Sequence, residues 1–98
     1  MGWIFLYWFH FRGNKLTKIS NKISALKNLK ELILHNNDLT LLPPTLADVK
    51  DLEVLKIEDN PWIEPIEVNR ILGLHHVMNY LSGNSYSMIY SRRSVRIK

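Results

Sequence analysis

The sequence predicts an α/β repeat fold, in which short parallel strands alternate with return segments and helices close the C-terminal end. Two observations lead to this prediction. In the 98-residue chain, Asn14, Asn37 and Asn60 follow one another at a constant interval, and apolar residues recur in the same register around them. Beyond residue 62, apolar residues continue at helical spacing instead.

The repeating unit has a definite pattern of apolar residues and asparagine. Residues 29–39 read LKELILHNNDL, residues 52–62 read LEVLKIEDNPW, and residues 6–16 read LYWFHFRGNKL. The pattern L-x-x-L-x-L-x-x-N-x-L at a fixed period of this size is typical of leucine-rich repeats. One such repeat cannot bury its apolar face alone, so neighbouring repeats have to stack. We therefore predict a short leucine-rich-repeat solenoid with a 23-residue period, two complete repeats and a partial third.

Each repeat is expected to contribute one short strand. Three adjacent parallel strands should lie around residues 9–11, 32–34 and 55–57, on the concave face of the solenoid. The side chains of Asn14, Asn37 and Asn60 are then expected to form a ladder whose amides satisfy backbone groups where each strand turns away, because buried polar groups need hydrogen-bond partners. This is a structural role and not a ligand site.

The segment after the repeats predicts two helices. Apolar residues at helical spacing indicate a helix over residues 65–81, and Pro65 suits its first turn. Residues 82–84 read SGN and end the helix. Gly73 in its interior costs ~1 kcal/mol relative to alanine, so we expect another segment to pack closely there. A second, shorter helix is expected over residues 86–93.

These patterns divide the chain into four parts. Residues 1–5 form a non-repeat N-terminal edge, residues 6–62 carry the leucine-rich repeats, residues 63–93 form a helical C-terminal cap, and residues 94–98 form a basic tail. The first eleven residues lack the basic region and cleavage site of a signal peptide and are too short to span a bilayer, so no membrane insertion is expected. We expect an array truncated at its N-terminal side, whose uncovered edge promotes self-association.

Composition and charge exclude several functions. The chain has no cysteine, which excludes disulfides and Cys-containing zinc sites and favours a reducing, intracellular compartment. The net charge is +4, but residues 31–67 contain all nine acids, whereas residues 1–30 contain six basic residues and no acid. Such segregation could steer partners or could reflect solvated loops. Without interleaved exposed aromatic residues, nucleic-acid binding is not predicted.

The outward positions of the strands are the candidate binding surface. Arrays of stacked repeats usually bind through the concave side that their strands line. We predict a protein-binding patch with exposed Ile33 and Val54 at an apolar centre and charged residues around it. The alternative is a set of ordinary solvated sheet residues. The predicted patch comprises Glu31, Ile33, His35, Val54, Lys56 and Glu58.

Neither a metal site nor an enzyme is predicted. Of the four histidines, His75 and His76 are adjacent on a helix, so their side chains point about 100° apart. His76 is expected to be a packing residue. No G-x-S-x-G, P-loop or H-E-x-x-H motif occurs, and no cofactor is implied.

The segment after Asn60 resembles the C-terminal cap of the Ras suppressor protein family. It reads NPWIEPIEVNRILGLHHVMNYLSGNSYSMIYSRR. Together with the repeats, the resemblance extends over residues 6–93, although the family has several more repeats on the N-terminal side and a longer, lysine-rich tail. The residues of the cap motif that carry it are Pro61, Trp62, Pro65, Gly73, His76, Tyr80, Tyr86 and Tyr90, with Asn60, Ile66, Leu72, Val77 and Arg92.

The resemblance implies a noncatalytic cytoplasmic adaptor that acts at cell–matrix adhesions. Members of the family bind a LIM-domain adaptor called PINCH at integrin adhesions and restrain Ras signalling. A PINCH-type LIM domain is therefore the expected partner. Three alternatives stay open at this point: a general leucine-rich-repeat scaffold, a regulatory subunit of a phosphatase or ligase, and a truncated fragment without full function.

Overall fold

Three short strands form one parallel sheet: β1 (Trp8–His10), β2 (Glu31–Ile33) and β3 (Val54–Lys56). The structure is a computed structural model that describes residues 8–10 and 15–95. The strands are adjacent in the order β1-β2-β3, and both neighbouring pairs are parallel. The predicted parallel sheet is therefore confirmed, with each strand one residue earlier than predicted. The expected N-terminal edge, including the self-association assigned to it, lies outside the described residues.

The register of the sheet follows the repeat period. Trp8 pairs with Glu31, and Glu31 pairs with Val54. Equivalent residues of successive repeats therefore stand side by side. This alignment follows because the strands are joined by return segments of equal length.

Each return segment contains a short 3-10 helix. The first is Asn21–Ala25 and the second is Pro44–Asp48. Ser20 caps the first, since its hydroxyl oxygen accepts a hydrogen bond from the Lys22 N–H at 3.0 Å. Pro44 suits the first position of the second helix because its φ is already helical and its missing N–H would have no partner there. The two helices pack against each other, so the return segments stack as the strands do.

The core lies between the sheet and the return segments. Leucines at the apolar positions of the repeat pattern fill it, and burial of a leucine side chain contributes about 1.5–3 kcal/mol. Within the second repeat, six of these leucines are fully or almost fully shielded from solvent: Leu29, Leu32, Leu34, Leu39, Leu42 and Leu46.

The turns that follow β2 and β3 each contain one residue in the left-handed conformation. Asn36 has φ +62° and Asp59 has φ +60°. Both residues directly precede an asparagine of the repeat pattern. Asparagine and aspartate tolerate this conformation better than other non-glycine residues, because their short polar side chains can hydrogen-bond locally.

The predicted single helix over residues 65–81 is wrong in one respect, because it is broken at Gly73. The structure has α1 (Glu64–Leu72) and α2 (Leu74–Leu81). Gly73 has φ +126° and ψ +171°, a backbone conformation that side chains with a Cβ rarely adopt. A Cβ at this position would meet nothing within 4 Å, so the expectation of close packing there is also wrong. The glycine is needed for backbone geometry.

The third helix, α3 (Asn84–Val95), covers the predicted residues 86–93 and extends beyond them at both ends. The cap packs on the repeat core through Ile66, Val77 and Leu81, which are buried. The apolar residues at the C-terminal end of α1 face solvent instead, because they lie on the side of α1 opposite buried Ile66. They are Val68, Ile71 and Leu72, with 49%, 69% and 58% of their surface exposed.

The helices of the cap are short. None of the helices in residues 15–95 is long and apolar enough to cross a bilayer.

Candidate protein-interaction surface

Asn37 joins two repeats through its side-chain amide. Its Oδ1 accepts a hydrogen bond from the Leu16 N–H at 2.9 Å. Its Nδ2 donates to the carbonyl oxygens of Leu34 at 2.8 Å and His35 at 3.3 Å. Only 6% of the residue is exposed, so these bonds satisfy an amide that burial would otherwise penalise.

Asn60 makes the equivalent contacts one repeat later. Its Oδ1 accepts hydrogen bonds from the N–H groups of Asn37 and Leu39, both at 3.1 Å. Its Nδ2 donates to the Leu34 carbonyl oxygen at 3.0 Å, with longer bonds to carbonyls of its own repeat. These amides hold the ends of the strands in a defined arrangement. Asn14, the third residue of the expected ladder, lies outside the described residues.

We call the side of the sheet opposite the leucine core the outer face. It is the side that the sequence predicts to be concave. The register places Glu31 beside Val54 and Ile33 beside Lys56. Glu31 and Lys56 are exposed, whereas Val54 is half-buried. The residues of the outer face that follow the strands, His35 and Glu58, are also half-buried. The structure thus brings the six predicted patch residues onto two neighbouring strands and the turns after them.

The expected exposure of Ile33 is wrong. Only 9% of its surface is accessible, and it is not part of the leucine core. Ile33 lies on the middle strand, where neighbours on both sides can cover an apolar side chain. Among the six patch residues, the accessible apolar contribution therefore comes from Val54.

Among the described residues, two ion pairs lie near the outer face, one beside the strands and one on α1. Lys30 and Glu53 form an ion pair at 3.7 Å, and both side chains are largely exposed, so the pair adds little stability. In α1, Arg70 donates two hydrogen bonds to the Glu67 carboxylate, at 3.0 and 2.7 Å. This bond raises the pKa of Arg70, and the nearby carboxylates of Glu58 and Asp59 add to the effect. Arg70 is thus a cation close to Glu58 and Asp59, the two acidic residues of the turn after β3.

The histidines in the described part of the chain do not form a metal site. Within residues 8–10 and 15–95, no group of three metal-binding side chains is close enough to hold an ion. His35 Nδ1 is buried and has no hydrogen-bond partner in that part of the chain. His75 and His76 are exposed on α2, so the expectation that His76 is a packing residue is wrong.

The cap motif residues Trp62 and Tyr86 attach the cap to the repeats. Trp62 is buried, and its Nε1 donates to the Ile57 carbonyl oxygen at 2.5 Å. Tyr86 is fully buried, and its ring packs near Tyr80 and Tyr90, with centroids 5.1 and 6.0 Å away. Its hydroxyl contacts both backbone polar groups of Leu42. Burial raises the pKa of Tyr86 strongly, since the phenolate would be poorly solvated there.

The other cap motif residues have different surroundings. Pro61 and Pro65 are exposed, and Pro65 lies in the first turn of α1. Tyr80 is half-buried, and loss of solvation raises its pKa. Tyr86 is part of the cap motif in the sequence, but the motif gives no sign of the contact with Leu42. Nothing in a single sequence indicates a bond between two residues so far apart in the chain.

Part of this chain matches a known family of repeats. Residues 27–70 match the family described as Leucine Rich repeats (2 copies). This match starts later than the predicted repeats and extends into α1. Together with the repeat pattern, the parallel in-register sheet and the asparagine contacts, this match supports leucine-rich repeats over residues 27–70.

The curated proteins that this chain matches include Ras suppressor protein 1 from three organisms. The chain is 40% identical over 40 residues to Ras suppressor protein 1 of Mus musculus and of Homo sapiens, and 39% identical to that of Bos taurus. Each match covers 41% of this chain and 14% of the relative's length. The repeat match and these identities support a leucine-rich-repeat protein of the Ras suppressor type.

Proposed function

We propose that this chain is a noncatalytic adaptor whose repeats form a short solenoid and whose outer face binds a protein partner. Leucine-rich repeats are protein-interaction modules and are generally noncatalytic. The observation that carries the proposal is the register of the sheet, which sets Glu31 beside Val54 and Ile33 beside Lys56. Equivalent positions of successive repeats thereby form one continuous surface, the kind that stacked repeats use for binding.

The proposed role is that of a Ras-suppressor-like adaptor in adhesion and Ras signalling, in the cytoplasm at cell–matrix adhesions. The cap motif and the similarity to Ras suppressor protein 1 support it. The proposed partner is a PINCH-type LIM domain. The matched region spans only 14% of the relatives' length. Binding of the partner therefore has to be measured on this chain itself.

The energetics of such contact follow from exposure. A half-buried apolar residue at the centre of an interface loses the rest of its water on binding, and such residues typically account for more of the affinity than rim charges. On the outer face, Val54 has this position and Lys56 is the exposed cation on the same strand. Glu31, His35 and Glu58 would form a rim that mainly affects association rate and salt dependence.

A contact through the cap helices is the competing arrangement. Tyr86 cannot take part in it, since it is fully buried against Leu42. Tyr90 is half-buried and Arg92 is exposed on α3, so these two could face a partner there.

Binding of the whole chain to an immobilised PINCH-type LIM domain tests the proposal. A variant with Val54→Thr and Lys56→Glu should lose at least ~1–2 kcal/mol of binding free energy, because it alters the centre of the surface. Its melting temperature should stay close to that of the parent, since neither residue is fully buried. The control is Lys18→Glu with Lys22→Glu, two exposed residues of the first return segment, which should leave binding unchanged.

Three results would contradict the proposal in different ways. Normal binding by the Val54 and Lys56 variant, together with failure of Tyr90→Ala, would move the site to the cap. Absence of binding by the parent chain would reject the PINCH-type partner but leave the repeat fold standing. Capture of a phosphatase or ligase catalytic subunit in its place would favour the regulatory-subunit alternative.

A further inference from the structure

A groove of about 1010 Å³ runs between the cap and the return segment of the second repeat. It is separate from the outer face, because none of its lining residues belongs to the three strands. Apolar side chains of Leu41, Ile63 and Ile89 contribute to its wall. Leu41 is 9% exposed, and Ile63 and Ile89 are half-buried, so the apolar part is recessed below the surrounding surface.

The rim of the groove is positively charged. Arg92 and Arg93, both exposed in the last turn of α3, line it together with the carboxylate of Glu64. Neither arginine side chain forms an ion pair or hydrogen bond with the described residues. In the sequence, residues 68–98 contain five basic residues and no acid. The two arginines are therefore available to an external anion, and their charge exceeds that of the one carboxylate beside them.

The walls of the groove are held in place by bonds between the cap and the second repeat. The Ile63 N–H donates to the Thr40 carbonyl oxygen at 3.1 Å. One residue beyond Leu41, the Leu42 backbone is bonded to Tyr86 of α3. A ligand would meet a preformed groove and would not have to order these segments, which reduces the entropic cost of binding.

We propose that this groove is a second docking site, which takes an acidic peptide in an extended conformation. One apolar side chain of the peptide enters between Leu41, Ile63 and Ile89, and flanking carboxylates meet Arg92 and Arg93. The charge complementarity supports this occupant, because the planar guanidinium group donates two parallel hydrogen bonds to a carboxylate. A nucleic acid fits less well, since the residues lining the groove include a carboxylate and no aromatic side chain on which a base could stack.

The groove would give the adaptor a second binding site, in addition to the one proposed on its outer face. The three strands and the groove are built from different residues, so substitutions can alter one surface without changing the side chains of the other.

Fluorescence anisotropy with the full chain tests the second site. The probe is a labelled synthetic peptide in which one leucine is flanked by aspartates and glutamates, and the control probe replaces those acids with asparagine and glutamine. The parent chain should bind the acidic probe at least about tenfold more tightly than the neutral one, and added salt should weaken it, because charged hydrogen bonds of this kind are worth a factor of about ten or more.

The variant Arg92→Glu with Arg93→Glu should weaken binding of the acidic probe by about tenfold or more. The matched control, Lys27→Glu with Lys50→Glu, makes the same change in net charge at exposed residues outside the groove and should bind as the parent does. Binding to the LIM domain should be unaffected in both variants, which separates failure of this site from failure of the outer face.

Several outcomes would overturn the proposal. One is equal affinity of the arginine variant and the parent for the acidic probe, and another is no binding of that probe by the parent. Binding of phosphatidylserine vesicles or of a single-stranded oligonucleotide, lost in the arginine variant while the peptide fails to bind, would assign the cations to a membrane or a nucleic acid. Self-association of the parent that the arginine variant abolishes would assign the groove to a second copy of the chain.

Discussion

The hydroxyl group of Tyr86 accepts a hydrogen bond from the Leu42 N–H at 3.0 Å and donates one to the Leu42 carbonyl oxygen. The two residues are 44 positions apart, Tyr86 on α3 and Leu42 on the return segment of the second repeat. A buried hydroxyl and two buried backbone groups satisfy one another in this contact. The cap is thus tied to the repeats by polar bonds as well as by apolar packing.

Tyr86→Phe should therefore destabilise the chain. The change leaves the ring packing in place but removes both partners of the Leu42 backbone, and an unsatisfied buried polar group costs about 1–3 kcal/mol. Urea denaturation followed by circular dichroism measures the loss. Tyr90→Phe is the matched control, because Tyr90 is half-buried and its hydroxyl makes no hydrogen bond with the described residues. Equal unfolding free energies for the two variants would contradict the contact.

The stability should also fall at alkaline pH. Burial raises the pKa of Tyr86 above its ordinary value of 10.0, so the folded state favours the neutral phenol. This contribution to stability is fully present below pH 10. It is progressively lost as the pH rises above the pKa that the Tyr86 phenol has in the unfolded chain. Unfolding free energies measured between pH 8 and pH 11 should therefore decline at the upper end.

Tyr86→Phe supplies the control for this pH dependence. The variant should show a shallower decline, although not a flat one, because loss of solvation also raises the pKa of Tyr80. A decline of the same slope in parent and variant would show that other groups cause the alkaline unfolding.

Gly73→Ala distinguishes the structure from the single-helix prediction. If Gly73 lay inside one continuous helix, alanine would stabilise the chain by ~1 kcal/mol. At φ +126° it should instead destabilise it by about 1–3 kcal/mol, the cost of holding a non-glycine residue in a sparsely populated conformation. The unfolding free energy decides between the two signs. Gly83→Ala is the matched control, since a Cβ there makes only an ordinary contact with the Tyr80 carbonyl oxygen at 3.5 Å.

Two leucines of the chain should respond very differently to truncation. Leu34 is fully buried, so Leu34→Ala should cost about 2–5 kcal/mol through lost burial and the cavity left behind. Leu72 is 58% exposed on α1, so Leu72→Ala should change stability by about 0.5 kcal/mol or less. Thermal denaturation of the two variants beside the parent makes the comparison. If Leu72→Ala lowered the stability by clearly more than this, the end of α1 would have to be covered in solution.

The sequence by itself determined the repeat fold of this protein. Asn37 and Asn60 mark the interval, and stacked units of equal length have only one parallel register, in which equivalent residues pair. The same pattern determined which leucines are buried, because an apolar residue that recurs at every turn of a stacked array faces its neighbours. For the same reason, the repeat period alone assigns the six residues of the candidate binding patch to neighbouring strands and turns.

Tertiary structure alone decided the features that depend on contacts between distant segments. Apolar spacing continues through Gly73, and only the backbone conformation there shows that the helix breaks. Ile33 occupies an outward position by period, yet its place on the middle strand buries it. The bond from Tyr86 to Leu42 and the groove beside Arg92 arise where the cap meets the second repeat. Periodicity describes how a segment faces its own neighbours in the chain, but it contains no information on where two unlike segments touch.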